Sequence, residues 1–219
     1  MAKWHRFKYL PVLPLGENKS LITGCDKHIS LSRKAATEGM VLLKNDNNFL
    51  PIKKGTKVAL FGKASVDYVK GGGGSGDVTV AFVHNLCEGM TEKQGEGKVD
   101  VFEPLNEFYK ENVKKQYSEG ICPGQTKDPE IPSELLKEAA EFCDLAIISI
   151  CRFSDEGSDR TEKDDFYLTE QEQKMVDSVT ANFKNAVVVL NVGGMVDTSW
   201  FINNDKIPAV LLGWQAGME

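Results

Sequence analysis

Short apolar runs alternate along this chain with longer stretches in which apolar residues recur at three- and four-residue spacing. Residues 57–62 (KVALFG), 98–102 (KVDVF), 145–150 (LAIISI), 186–190 (AVVVL) and 208–213 (PAVLLG) are of the first kind. Runs this short, rich in leucine and β-branched residues, predict strands buried on both faces. The second kind predicts helices. One covers residues 31–44 (LSRKAATEGMVLLK), with Ser30 as its N-cap and residues 45–48 (NDNN) and Pro51 ending it. Another covers 103–117 with one polar face, and a third covers 134–142 (ELLKEAAEF) behind Ser133. Residues 169–172 (TEQE) form a capping-box pattern that opens a helix running to about residue 183, because hydroxyl and carboxylate each satisfy a bare backbone N–H. The run 78–90 (VTVAFVHNLCEGM) is long for a strand and is read as a helix by the alternating plan. Strands alternating with helices specify βαβ units, hence an α/β fold: a three-layer α/β/α sandwich with a mostly parallel sheet.

Length and composition narrow the function. The 219 residues, 41% of them apolar, suffice for a well-buried core in one large domain or one and a half ordinary ones. A net charge of −6 disfavours nucleic acid or an anionic membrane surface as the main partner, since both call for a basic face. No segment has the length or apolarity to span a bilayer, and the N-terminus lacks the uninterrupted apolar stretch of a secretory signal. A cytoplasmic protein is expected. Five widely spaced cysteines, without a C-x-x-C spacing or a histidine set to complete a zinc site, read as reduced thiols. No metal and no cofactor are expected. Residues 1–30, broken by Pro11, Pro14, Gly16 and Gly24, read as an arm. The last residues, 213–219 (GWQAGME), follow a strand with no covering helix, so the sandwich is expected to be incomplete at its C-terminal end.

Two loops carry the candidate chemistry. Residues 151–160 (CRFSDEGSDR) begin where the run 145–150 stops, and the carboxyl ends of strands are where open α/β sheets bind ligands. Glu156, followed by Gly157, is the candidate chemical centre. The plainer reading makes it one solvated charge among Asp155, Asp159, Glu162, Asp164 and Asp165, whose spacing does not fit a calcium loop. Asp159 and Arg160 are expected to hold the loop through a mutual or neighbouring ion pair. Phe166 and Tyr167 could stack on a sugar, although aromatics after a loop are more often core. In residues 71–76 (GGGGSG), five glycines in six leave the backbone open to close approach by a ligand or another segment. Their spacing fits neither G-x-G-x-x-G nor a P-loop. His5, His28 and His84 read as packed or exposed rather than catalytic.

Four segments, in order, resemble the α/β sandwich domain of glycoside hydrolase family 3, which includes many β-glucosidases. They are 35–45 (AATEGMVLLKN), 71–77 (GGGGSGD), 155–160 (DEGSDR) with 165–168 (DFYL), and 187–194 (VVVLNVGG) leading to 212–219 (LGWQAGME). The resemblance covers roughly residues 30–219 and implies an arm over 1–30 and a sandwich domain over 31–219. It also implies that catalysis is divided: a barrel carries an aspartate nucleophile, and the sandwich supplies the general acid/base glutamate, matched here by Glu156. The family's glycine-rich loop sets a serine against the sugar, matched by Ser75 between Gly74 and Gly76. Two departures stand out. The sandwich comes first, as in the subgroup with swapped domain order, and the barrel is not in this chain, so it is expected on the rest of the chain or on a second polypeptide. The implied substrate is a β-glucoside or short oligosaccharide, cleaved with retention. The alternatives are a β-xylosidase of the same family and a non-catalytic sugar-binding or structural fragment; a homo-oligomer is possible.

Overall fold

The computed structural model describes residues 25–71, 73, 74, 80, 82–154, 156, 157, 159–215 and 217. The chain divides into two compact units, at the junction of Gly39 and Met40. In the first, helix α1 spans Asp26–Gly39, with an acidic residue in its first turn, where the helix dipole favours it. Its surface carries a Lys34–Glu38 pair at 3.7 Å and a Thr37 hydroxyl donating to the Arg33 carbonyl. This corrects the expected helix over 31–44. Ser30 lies inside α1 rather than capping it, and Val41–Asn45 is a strand, β1. Met40, Val41, Leu42 and Leu43 are four consecutive apolar residues, which give a helix no single buried stripe. Pairing in a sheet decides the conformation here.

The second unit is built on a sheet ordered β1-β6-β5-β4-β2-β3. Its other strands are β2 (Thr56–Phe61), β3 (Val99–Val101), β4 (Leu145–Cys151), β5 (Ala186–Asn191) and β6 (Ala209–Leu212). All pairings among β2 to β6 are parallel; β1 runs antiparallel to β6, with Val41 opposite Leu212 and an irregularity between Leu42 and Lys44. The helices are α2 (Leu86–Gly95), α3 (Glu103–Ser118), α4 (Ser133–Phe142), α5 (Glu170–Asn182) and the single turn α6 (Ser199–Ile202).

Every residue of β4 is buried, as a strand covered on both faces requires. Alternate residues of β2 enter different cores. Ala59 and Phe61 pack with Ile148, Ile150, Val188 and Leu190 beneath Leu105 and Tyr109 of α3, Ala139 of α4 and Val176 and Val179 of α5. Val58 and Leu60 face the other way, with Leu145, Ile147 and Val187, against Cys87 of α2 and the partly buried Phe49, Leu50 and Ile52. The arrangement is a three-layer α/β/α sandwich. Burying a side chain such as Phe61 contributes roughly 1.5–3 kcal/mol, and its ring meets Phe183 edge-on at 5.4 Å.

Two other helix starts differ from expectation. The helix expected over 78–90 begins at Leu86 and runs on to Gly95, with residues 80 and 82–85 irregular; Val78, Thr79 and Ala81 lie outside the described residues. Asn85 sets that start: its side chain accepts from the Glu88 N–H while Glu88 accepts from the Asn85 N–H. In α4, Ser133 is the first helical residue, preceded by Pro132, and its hydroxyl donates to Glu134 rather than capping. The capping box of Thr169 and Glu172 at α5 forms as the pattern predicts.

Candidate active site

The site is assembled at the carboxyl ends of β2, β4, β5 and β6. Gly62 follows β2 at φ +95°, and a Cβ there would lie 2.2 Å from the Ser149 carbonyl oxygen, so only glycine lets the chain leave the sheet so close to β4. Just beyond, Lys63 and Asp67 are both buried, with Lys63 Nζ 3.3 Å from Asp67 Oδ2 and 2.8 Å from the Gly124 carbonyl. Asp67 also accepts from the Tyr117 hydroxyl and the Gly124 N–H, each at 2.6 Å, and from Thr126. Burial pushes the Asp67 carboxyl up, but Lys63 and these donors outweigh it and hold it below its ordinary value. Asp128 accepts from the Lys63 N–H at 2.6 Å. Burial first, and then the negative charge of Glu172, push it up to about 7.

Beyond β4, Arg152 is almost fully buried and uses all five of its N–H donors. Its Nη1 and Nη2 grip both oxygens of Glu172, at 2.7 and 2.9 Å. The same nitrogens donate to the carbonyls of Cys151 and Tyr167, and Nε donates to the carbonyl of Asp165. Arg160, farther along the loop, makes a bidentate pair with Asp165 and donates to the Met195 carbonyl at 2.7 Å. A Cβ on Gly194 would come within 2.7 Å of that Arg160 Nη1. Asp165 is held below its ordinary value: burial opposes this, but Arg160, the Thr161 N–H and Arg152 prevail. The ion pair that ties the loop therefore joins Arg160 to Asp165, while Asp159 is exposed.

Glu156 and Gly157 form the exposed turn of this loop, Gly157 at φ +80°. The glycine-rich segment meets it directly. The Gly73 N–H donates to the Ser154 carbonyl at 2.7 Å, and a Cβ on Gly74 would lie 2.4 Å from the Glu156 Cβ. Ser75, Gly76, Asp155 and Ser158 lie outside the described residues.

The two C-terminal segments close the frame. Gln215 donates to the Arg152 carbonyl and to Ser154 Oγ, at 3.1 and 3.3 Å, and its amide lies against Gly193, where a Cβ would come within 2.8 Å of its Oε1. Asn191, the last residue of β5, is fully buried. It accepts from the Val69 N–H and donates to the Val69 and Trp214 carbonyls. Around the loop, Met195 (84% exposed), Tyr167 (45%) and Trp214 (44%) present apolar surface. Tyr167 is thus exposed rather than core, with its ring edge-on to the partly buried Phe166.

A cleft of about 620 Å3 beside the loop is lined by Lys63, Asp128, Arg152, Lys163, Asp165 and Glu172 among others. Among the described residues no set of three metal-ligating side chains converges, and no helix is long and apolar enough to cross a membrane. Sequence reasoning did not anticipate Arg152, Asn191 or Gln215, nor the second role of Glu172. An arginine directly after an almost wholly apolar strand was the available signal, since such a position is buried and its charge must be answered.

Residues 40–219 match the model of the glycosyl hydrolase family 3 C-terminal domain. The chain is 50% identical to Beta-glucosidase A of Butyrivibrio fibrisolvens, an alignment covering all of this chain and 29% of that protein. It is 34% identical to a Beta-glucosidase of Ruminococcus albus over 88% of this chain and 20% of that one. Among solved structures, a beta-glucosidase from Paenibacillus barengoltzii superposes with a TM-score of 0.79 at 32% identity, covering 88% of this chain and 22% of that one. Beta-glucosidase 3B from Thermotoga neapolitana, in complex with alpha-D-glucose, gives 0.76 at 34% identity, covering 90% and 28%. The chain thus spans less than a third of the length of these relatives. It belongs to glycosyl hydrolase family 3, within which it corresponds to the C-terminal domain.

Proposed function

We propose that this chain is the acid/base part of a retaining β-glucosidase that removes terminal, non-reducing β-D-glucosyl residues from glucosides or short oligosaccharides. The observation that carries this reading is the contact of the glycine-rich segment with the acidic loop, which sets Gly74 against Glu156. One loop would hold the sugar through Ser75, Gly74 and Gly76, and the other would deliver the proton. Retention needs a second carboxylate about 5–5.5 Å away. We assign it to an aspartate on a barrel domain, carried by the rest of the polypeptide or by a second one. The names of the relatives favour glucose as the sugar.

In this reading the aspartate attacks the anomeric carbon while Glu156 protonates the departing oxygen; Glu156 then takes a proton from the water that hydrolyses the glycosyl-enzyme. Covering the exposed Glu156 with sugar and barrel removes water and favours its protonated form at the start. The apolar rim of Met195, Tyr167 and Trp214 suits such a cover. Asp159 and Arg160 act in support of the loop, and residues 1–30 as an arm. The five free thiols, Cys25 and Cys122 exposed among them, favour a reducing, cytoplasmic location, and the beta-glucosidase names of the relatives favour a role in carbohydrate metabolism.

The test is glucoside hydrolysis by the chain alone and together with the barrel, as wild type and as Glu156→Ala. The chain alone should leave an aryl β-glucoside intact. With the barrel present, Glu156→Ala should cripple turnover of poor leaving groups and respond to azide. Wild-type kinetics in that variant would remove Glu156 from the chemistry.

A further inference from the structure

Arg152 joins both ends of the segment that carries Glu156. It stands at the segment's start, and its guanidinium donates to the carbonyls of Asp165 and Tyr167 at its end. Glu172 fixes the guanidinium by gripping it with both carboxylate oxygens, and one of these, Oε2, also accepts from the Thr169 N–H at 2.8 Å. One carboxylate thus caps α5 and anchors the loop's base, transmitting the rigidity of a packed helix to a loop whose tip is solvent-exposed. Arg160 ties the middle of the segment to Asp165 near its end, so the segment is cross-linked within itself as well as clamped at its base.

We propose that Arg152 and Glu172 are positioning residues: their buried pair sets where the Glu156 carboxyl lies relative to the glycosidic oxygen, without touching substrate. This rests on Glu156 being the acid/base group. A buried ion pair is a poor device for stability alone, because desolvation offsets much of its attraction. Here the pair, with all five guanidinium donors used, specifies one loop geometry. Lysine cannot replace arginine in this role, since a single ammonium cannot span two carboxylate oxygens and three carbonyls.

The proposal is tested by comparing kcat/KM on two glucosides in the complete enzyme. One has an activated dinitrophenyl leaving group that departs without a proton; the other has an alkyl group that needs one. Arg152→Lys and Glu172→Gln should each lower kcat/KM on the alkyl glucoside by about 10–100-fold, the scale of a misplaced catalytic group. On the dinitrophenyl glucoside the fall should be under about threefold. Thr169→Ala, which removes the reciprocal cap but keeps the clamp, should show no such selectivity. If Arg152→Lys does not fold, Glu172→Gln decides, because glutamine still accepts from the Thr169 N–H. Equal losses on both substrates, or no loss on either, would overturn the proposal. Glu156→Ala run alongside separates the two ideas. Leaving-group selectivity in Glu156→Ala but not in the clamp variants overturns the clamp alone, and none in Glu156→Ala overturns both.

Discussion

A Cβ placed on Gly74 would lie 2.4 Å from the Cβ of Glu156 and 2.6 Å from its Oε2. Two loops separated by about eighty residues in sequence therefore meet at a distance that tolerates no side chain on one partner. Gly74 also has φ +69°, where a side chain is strained whatever the space. Gly74→Ala should displace Glu156 and lower kcat/KM on poor leaving groups by about 100-fold, the effect of a shift near 1 Å, with a smaller effect on overall stability. Steady-state kinetics with a leaving-group series, set beside thermal unfolding, would check it.

Ser75→Ala should weaken glucose or substrate binding by about 1 kcal/mol, the scale of one hydrogen bond. Inhibition by glucose measures this directly. Unchanged affinity would leave the glycine-rich loop with an architectural role only.

Gly62 and Gly194 should respond to the same change by very different amounts. At Gly62 an added Cβ meets a backbone oxygen at 2.2 Å, with φ at +95°. Gly62→Ala should cost about 3 kcal/mol or more by strain and overpacking together. At Gly194 the obstacle is the end of the Arg160 side chain, which can move aside. Gly194→Ala should cost under about 1 kcal/mol while breaking the Arg160 bond to the Met195 carbonyl. Urea unfolding of the two variants distinguishes the cases.

Asp67 and Asp128 should give opposite pH signatures. The folded value of Asp67 lies below its ordinary 3.8, so its contribution to stability is present above that value and is lost as pH falls through the lower folded one. The folded value of Asp128 is raised from 3.8 to about 7, so the native state keeps a proton that the unfolded chain has released. Stability should therefore decline as pH rises across that window and level off above it. Asp128→Asn keeps an acceptor for the Lys63 N–H and should flatten the decline, whereas Asp67→Asn should weaken the acid dependence and destabilise at neutral pH by leaving Lys63 uncompensated. Urea midpoints at pH 3, 5 and 8 provide the measurement.

The strands were legible because runs such as 145–150 and 186–190 are apolar at nearly every position, Ser149 being the exception, and a sheet covered on both faces is what buries such runs. The Thr169 and Glu172 cap was legible because its two bonds are local. The Asn85 and Glu88 box was equally local, and its N-x-x-E spacing stood in the sequence, masked by the apolar run before it. β1 was not legible. Residues 40–43 are compatible with helix or strand, and the choice falls to β6, about 170 residues later, which offers an edge to pair with.

The sequence by itself determined the α/β alternation, the capped start of α5 and the identity of the two polar loops, because each depends on neighbours a few residues apart. Tertiary structure decided that the loops touch at Gly74 and Glu156, that Arg160 pairs with Asp165, and that Glu172 serves Arg152 as well as its own helix. The first joins loops brought together by parallel strands ending at one edge of the sheet, and no local spacing encodes which loop crosses which; the other two lie within one segment, where only the folded loop selects each partner from several nearby charges.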